Sequence, residues 1–100
     1  MFIGIARFDL FLPESTSLKH KRRVLRHVID GARHRYNASV SEVDHQDLWQ
    51  RAAIGVTCAS GDHAHCLQML QEVEKALGRA AVGGAEIVGR SVQVVSMDDL

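Results

Sequence analysis

The apolar residues of this chain change their period four times in one hundred residues, and the order of those changes leaves few folds open. Phe2, Gly4, Ala6, Phe8, Leu10 and Leu12 occupy every second position, and all are apolar or small. Such a row is the core face of a strand. Pro13 and Glu14-Ser15-Thr16 end it with turn chemistry. From Ser17 the period lengthens: Leu18, Leu25, Ile29, Ala32 and Tyr36 recur at seven, four, three and four, and Val28 widens the stripe. At about 100° per residue this is one side of an amphipathic helix, expected to end near Asn37.

A short period-2 run follows. Ala38 to Asp44 is β-branched enough for a strand, but Val40 and Val43 share a face only if a bulge lies between them. His45 to Gln50 suits a hairpin connection, and Ala52, Ile54, Val56 and Cys58 alternate through Arg51 to Ser60. Ser60-Gly61-Asp62 is an N-cap signal for a second helix, with Cys66, Leu70, Val73 and Leu77 at helical spacing and Gly78 as its expected cap. Ala80 to Gly84 is a link, Gly83-Gly84 a turn, and Ala85 to Ser96 a last strand rich in Val and Ile. The tail 97–100 is expected to fray. No linker, repeat or low-complexity tract divides the chain, so one domain spans 1–100 with an ordered core at about 2–96.

The order β-α-β-β-α-β, closed by right-handed crossovers, gives an α+β ferredoxin-like sandwich: a four-stranded antiparallel sheet with both helices on one face. A permuted or dimer-completed sheet is the rival arrangement.

Charge is distributed unevenly. Ser17 to Tyr36 carries seven Lys/Arg and one carboxylate, a balance of +6, while the other eighty residues balance at −6. A formally neutral protein is thereby a dipole, which concerns partners more than fold. Lys19, Lys21, Arg22 and Arg23 fall in the first turns of the helix, where cations oppose the macrodipole by about 0.3–1 kcal/mol each. A repeated local violation of that kind often marks a site. Ser17, Lys19, Lys21, Arg22, Arg23 and Arg26, with the hydroxyls of Ser15 and Thr16 upstream, are the candidate anion- or RNA-binding residues. The opposing reading is a solvated basic face. The stems of Lys21 and Arg22 flank the apolar stripe and can run along the core edge. His20, His27 and His34 repeat at heptads beside the cluster and would make anion affinity rise below pH ~6.5.

The sheet face away from the helices would carry Ile3, Ile5, Arg7, Asp9 and Phe11, then Arg51, Ala53, Gly55, Thr57 and Ala59. Phe11 is its one aromatic, which argues against base stacking of the RNA-recognition-module kind. Its apolar character makes Ile3 and Ile5 candidates for a homodimer interface through the open sheet. Trp49 is either an interface anchor or a lid over the end of the core.

No enzyme class is indicated. The chain has no nucleophile elbow, no glycine-rich phosphate loop, no Cys-x-x-Cys and no paired acid and base. Cys58, Asp62, His63, His65 and Cys66 have poor metal spacing, since both cysteines fall on apolar stripes and the two histidines diverge around the helix. No metal or cofactor is expected. Two cysteines without a disulfide framework suit a reducing cytoplasm. Residues 1–12 read as a strand and not a leader, and no apolar run reaches the ~20 residues that span a bilayer.

Three segments carry a resemblance: Ser17-Leu18-Lys19-His20-Lys21-Arg22-Arg23, then Asn37 through Asp44, then Asp47-Leu48-Trp49-Gln50-Arg51-Ala52. In that order, from Gly4 to about Leu77, the chain resembles the YlxP-like family of small bacterial proteins, a domain of unknown function similar in fold to ferredoxin-like sandwiches. The resemblance implies no established activity and no catalytic residues. Genes of that family often lie near those of a translation initiation factor and a ribosome-binding factor, an association pointing to RNA or the ribosome. The reading is thus an accessory protein touching RNA phosphates through its first helix. Its alternative is an interaction or homodimerisation module whose basic helix meets an acidic protein surface.

Overall fold

The computed structural model describes residues 1–33 and 36–100. Strand β1 (Phe2–Phe11) leads to helix α1 (Leu18–Arg33), strands β2 (Ser39–Asp44) and β3 (Arg51–Ser60), helix α2 (His63–Ala80) and strand β4 (Glu86–Ser96). The sheet order is β2-β3-β1-β4, every pair antiparallel, so the two strands with two neighbours are β1 and β3. This is the ferredoxin-like sandwich that the period changes require. α2 packs on β1, β3 and β4, and α1 lies beside it against β2.

The core follows the alternation. Ala6, Phe8, Leu10 and Leu12 of the first row are buried with Ala52, Ile54, Val56 and Cys58 of β3 and Cys66, Leu70, Val73 and Leu77 of α2. Gly4 stands where the helix layer presses closest: a Cβ there would lie 2.7 Å from Cys58 Sγ and 2.9 Å from Cys66 Sγ.

Two boundaries, the end of α2 and the tail, differ from expectation, each for a local reason. α1 is described as far as Arg33, whose guanidinium donates to the Val40 carbonyl at the start of β2, and residues 34–35, ahead of the expected end near Asn37, lie outside the described residues. α2 runs through Gly78 to Ala80, because Ala76, Leu77 and Ala81 keep contributing to the buried stripe. The left-handed residue that reverses the chain is Gly83, at φ +83°. The register of β2 shifts between Glu42 and Asp44, a bulge at Val43; Val40 faces the core and Val43 the open face, as plain alternation gives. The tail forms a 3₁₀ turn at Met97–Asp99, held by the Met97 amide on the Met1 carbonyl (2.9 Å). No helix among the described residues is long and apolar enough to cross a membrane.

Candidate anion-binding surface

α1 begins on Ser17, whose Oγ accepts the His20 amide (3.1 Å) while its carbonyl accepts the Lys21 amide (3.0 Å). Ser15 is buried and donates its hydroxyl to the same carbonyl (3.2 Å). The Gln50 side chain donates to the carbonyls of Pro13 (3.1 Å) and Ser15 (3.4 Å), tying this turn to the start of β3. Ser15 thus spends its hydroxyl proton on the loop, while Ser17 Oγ accepts the capping bond and keeps its own proton to donate.

The six basic candidates separate into two kinds. Lys21 leaves the surface entirely. The buried stripe of α1 runs Lys21, Leu25, Val28, Ala32, at four, three and four, with Ile29 only half-buried. At 1% exposure Lys21 is among the most deeply buried side chains of the protein. Its Nζ donates to the His45 carbonyl (2.6 Å) and lies 2.9 Å from Glu42 Oε2. That oxygen is buried and accepts no well-aligned hydrogen bond, so its contact with the ammonium is ionic. Lys21 is thereby corrected from an anion-binding candidate to an internal cation. A lysine in this position can stay charged only because a carboxylate and a carbonyl replace its water.

Lys19, Arg22, Arg23 and Arg26 stay outside. They stand at i, i+3, i+4 and i+7, one face of α1, and line a shallow depression of about 210 Å³. All four are exposed, and none has an acidic partner among the described residues. The stripe is about 10 Å long at 1.5 Å per residue. On its flank, Arg23 also faces a groove of about 340 Å³ between α1 and the link after α2, where His20, His27 and Glu14 meet Val82 and Gly83-Gly84. His34 lies outside the described residues.

Several of the other charges are locally paired. Arg7 reaches Asp9 (3.1 Å) and Asp44 (3.4 Å) across the open sheet face, and Arg90 holds Glu74 at 2.9 Å. The Asp44 carboxyl titrates below the usual carboxylate range, chiefly because it accepts the His45 amide (2.8 Å), then through the His45 charge and Arg7. His45 itself adopts φ +62° in the β2–β3 connection, presenting its carbonyl to Lys21.

The Arg51 guanidinium lies 5.8 Å from the Phe11 ring centroid, a cation–π contact on the open sheet face. Ile3 and Ile5 lie on the open sheet face, Ile3 partly and Ile5 42% exposed. Trp49 is 54% exposed in the β2–β3 connection and does not close over the core.

The cysteines Cys58 and Cys66 are both free and buried, with sulfurs 3.6 Å apart. Burial, and then the neighbouring Cys66, push the Cys58 thiol up to about 11. Asp62 caps α2 by accepting the amides of Ala64 (2.8 Å) and His65 (3.3 Å). His65 Nδ1 meets Ser60 Oγ (3.0 Å), and His63 stands edge-on to Phe2. Each of these side chains thus has a structural partner. Among the described residues no three His, Cys, Asp or Glu side chains converge on one point.

Residues 3–91 match the model of a family described as "Protein of unknown function (DUF503)". The uncharacterized protein YlxP of Bacillus subtilis (strain 168) is 34% identical over 71 residues, which are 71% of this chain and 77% of that one. Two solved structures share the architecture. A de novo designed protein with a ferredoxin fold is 11% identical with a TM-score of 0.57, covering 97% of this chain and 88% of its own. A candidate chlorite dismutase is 6% identical with a TM-score of 0.62; the match covers 99% of this chain and 45% of that one, so this chain spans less than half its length. At such identities the two likenesses concern the fold alone.

Proposed function

We propose, from the premise that this chain belongs to the DUF503 family, whose description assigns no activity, that it is a non-enzymatic accessory protein contacting RNA phosphates, as on the ribosome. The observation that carries this reading is the stripe Lys19, Arg22, Arg23, Arg26: four exposed cations on one helix face without acidic partners among the described residues. Cations at the start of a helix work against its dipole. An external anion would reverse that penalty, which a merely solvated face does not. Phe11 is the one aromatic on the open face of β1 and β3, which favours backbone contact over base reading.

Four neutralised phosphates give log affinity a slope of roughly −2.8 to −3.6 against log salt, or about a 50- to 150-fold loss between 50 and 200 mM. A fluorescence titration with ribosomal RNA fragments at those two salt concentrations tests this. The expected result is that steep loss, with the slope reduced by about one for each of Arg22→Ala and Arg23→Ala. Salt-insensitive binding, or variants that bind as the native chain does, would overturn it. A partner that still copurifies after nuclease treatment would instead favour an acidic protein surface on the same stripe.

A further inference from the structure

We infer that the open face of the sheet is an isologous interface, covered by the same face of a second copy of this chain. The inference is independent of the RNA reading, because α1 lies on the opposite side of the sheet. On the open face, Ile5 of β1 and Val43 at the β2 bulge stand up as two ridges, 42% and 51% exposed. Between them lies a hollow of about 350 Å³ whose floor is made by Gly55, Thr57, Ser39 and Ser41. The bulge produces this relief: Val43 leans over Gly55, where a Cβ would lie 2.6 Å from its Cγ1. Small residues therefore sit beside two large aliphatic ones, and a two-fold axis beside the hollow sets the Ile5 ridge of each copy into the hollow of the other.

Charge and size both fit a second copy. The open face carries Arg7 and Arg51 against Asp9 and Asp44, with Arg7 holding both carboxylates, so it is neutral overall and two such faces do not repel. Strands of ten residues in a four-stranded sheet present a face of about 33 by 19 Å, which two copies bury as roughly 1,200 Å², the lower end of specific interfaces. An apolar centre rimmed by paired charges and polar residues is the anatomy such an interface requires.

Sedimentation equilibrium of nucleic-acid-free protein over a hundredfold concentration range tests the interface. The native chain should approach twice its 11.0 kDa mass as concentration rises. Ile5→Glu should remain at the single-chain mass with native circular dichroism, while Arg22→Glu, on α1, should dimerise like the native chain. If Ile5→Glu fails to fold, Thr57→Arg makes the same test at the exposed position opposite Ile5 in the register. A native chain that stays monomeric throughout, or folded face variants that associate as the native chain does, would overturn the interface. A native chain that dimerises yet binds RNA without salt dependence would overturn only the function proposed above.

Discussion

Lys21 and Glu42 join the first turns of α1 to β2 through an ion pair 2.9 Å long, in which the lysine side chain is 1% exposed and the glutamate 21%. The Lys21 ammonium also donates to the His45 carbonyl, so one side chain holds the helix, the strand and the hairpin connection together. The Arg33 guanidinium, on the Val40 carbonyl, makes a second tie at the other end of α1. Between them these two cations fix how α1 lies along β2, and so where the exposed stripe points.

Lys21→Met should lower stability by about 2–3 kcal/mol, read as a shift of the urea midpoint, because it strands a half-buried carboxylate and an unsatisfied carbonyl. Glu42 keeps some solvent, which holds the loss below that of a fully buried pair. Adding Glu42→Leu should recover part of it, since a well-packed apolar pair can substitute for a buried ionic one. A midpoint unchanged by Lys21→Met would mean that the contact holds nothing together.

Lys19→Glu should separate stability from binding. It exchanges an unfavourable cation for a favourable anion in the first turn and should stabilise the fold by roughly 0.5–1 kcal/mol. Thermal melting at low salt should show the gain and high salt should erase it. RNA affinity should fall in the same variant. Loss of both would place Lys19 among the structural residues.

Cys58 should make the fold sensitive to alkali. Its thiol ionises at about 11 in the native protein, against 9.0 ordinarily, so between those values the native state holds a proton that the unfolded chain has lost. The stability this contributes is fully present below pH 9.0 and disappears as the pH rises through about 11. A two-unit shift corresponds to a loss on the order of 2 to 3 kcal/mol. Unfolding of the native chain and Cys58→Ala, compared from pH 8 to 11, checks this: the difference between them should shrink with pH. Parallel curves would refute it.

Much of the architecture was legible in the residues. Alternation at Phe2 to Leu12 and at Ala52 to Cys58 named the core faces of the two central strands, and all but the partly buried Phe2 are buried in the folded chain. Val40 and Val43 lie on opposite faces, as period 2 gives without any bulge, so the bulge between Glu42 and Asp44 was not legible in them. Gly78 misled because a lone glycine resembles a cap, whereas the buried stripe carries the helix past it to Ala80. The seven-residue gap from Leu18 to Leu25 held the remaining clue. Lys21, four before Leu25 and seven before Val28, sits on the buried stripe, but a charged residue there reads as surface until an acid is found to meet it.

The sequence by itself determined the element order, the core faces and the concentration of positive charge on α1, because these depend on periodicities and counts along the chain. Only the tertiary structure decided which cations remain available. Glu42 lies twenty-one positions beyond Lys21 in the chain, and the two meet because the crossover lays α1 along β2. Burying that pair takes one cation inward and leaves Lys19, Arg22, Arg23 and Arg26 on the surface. The hollow beside Ile5 is of the same kind, arising where the β2 bulge brings Val43 over Gly55. Pairings between distant segments set these features, and no local period encodes them.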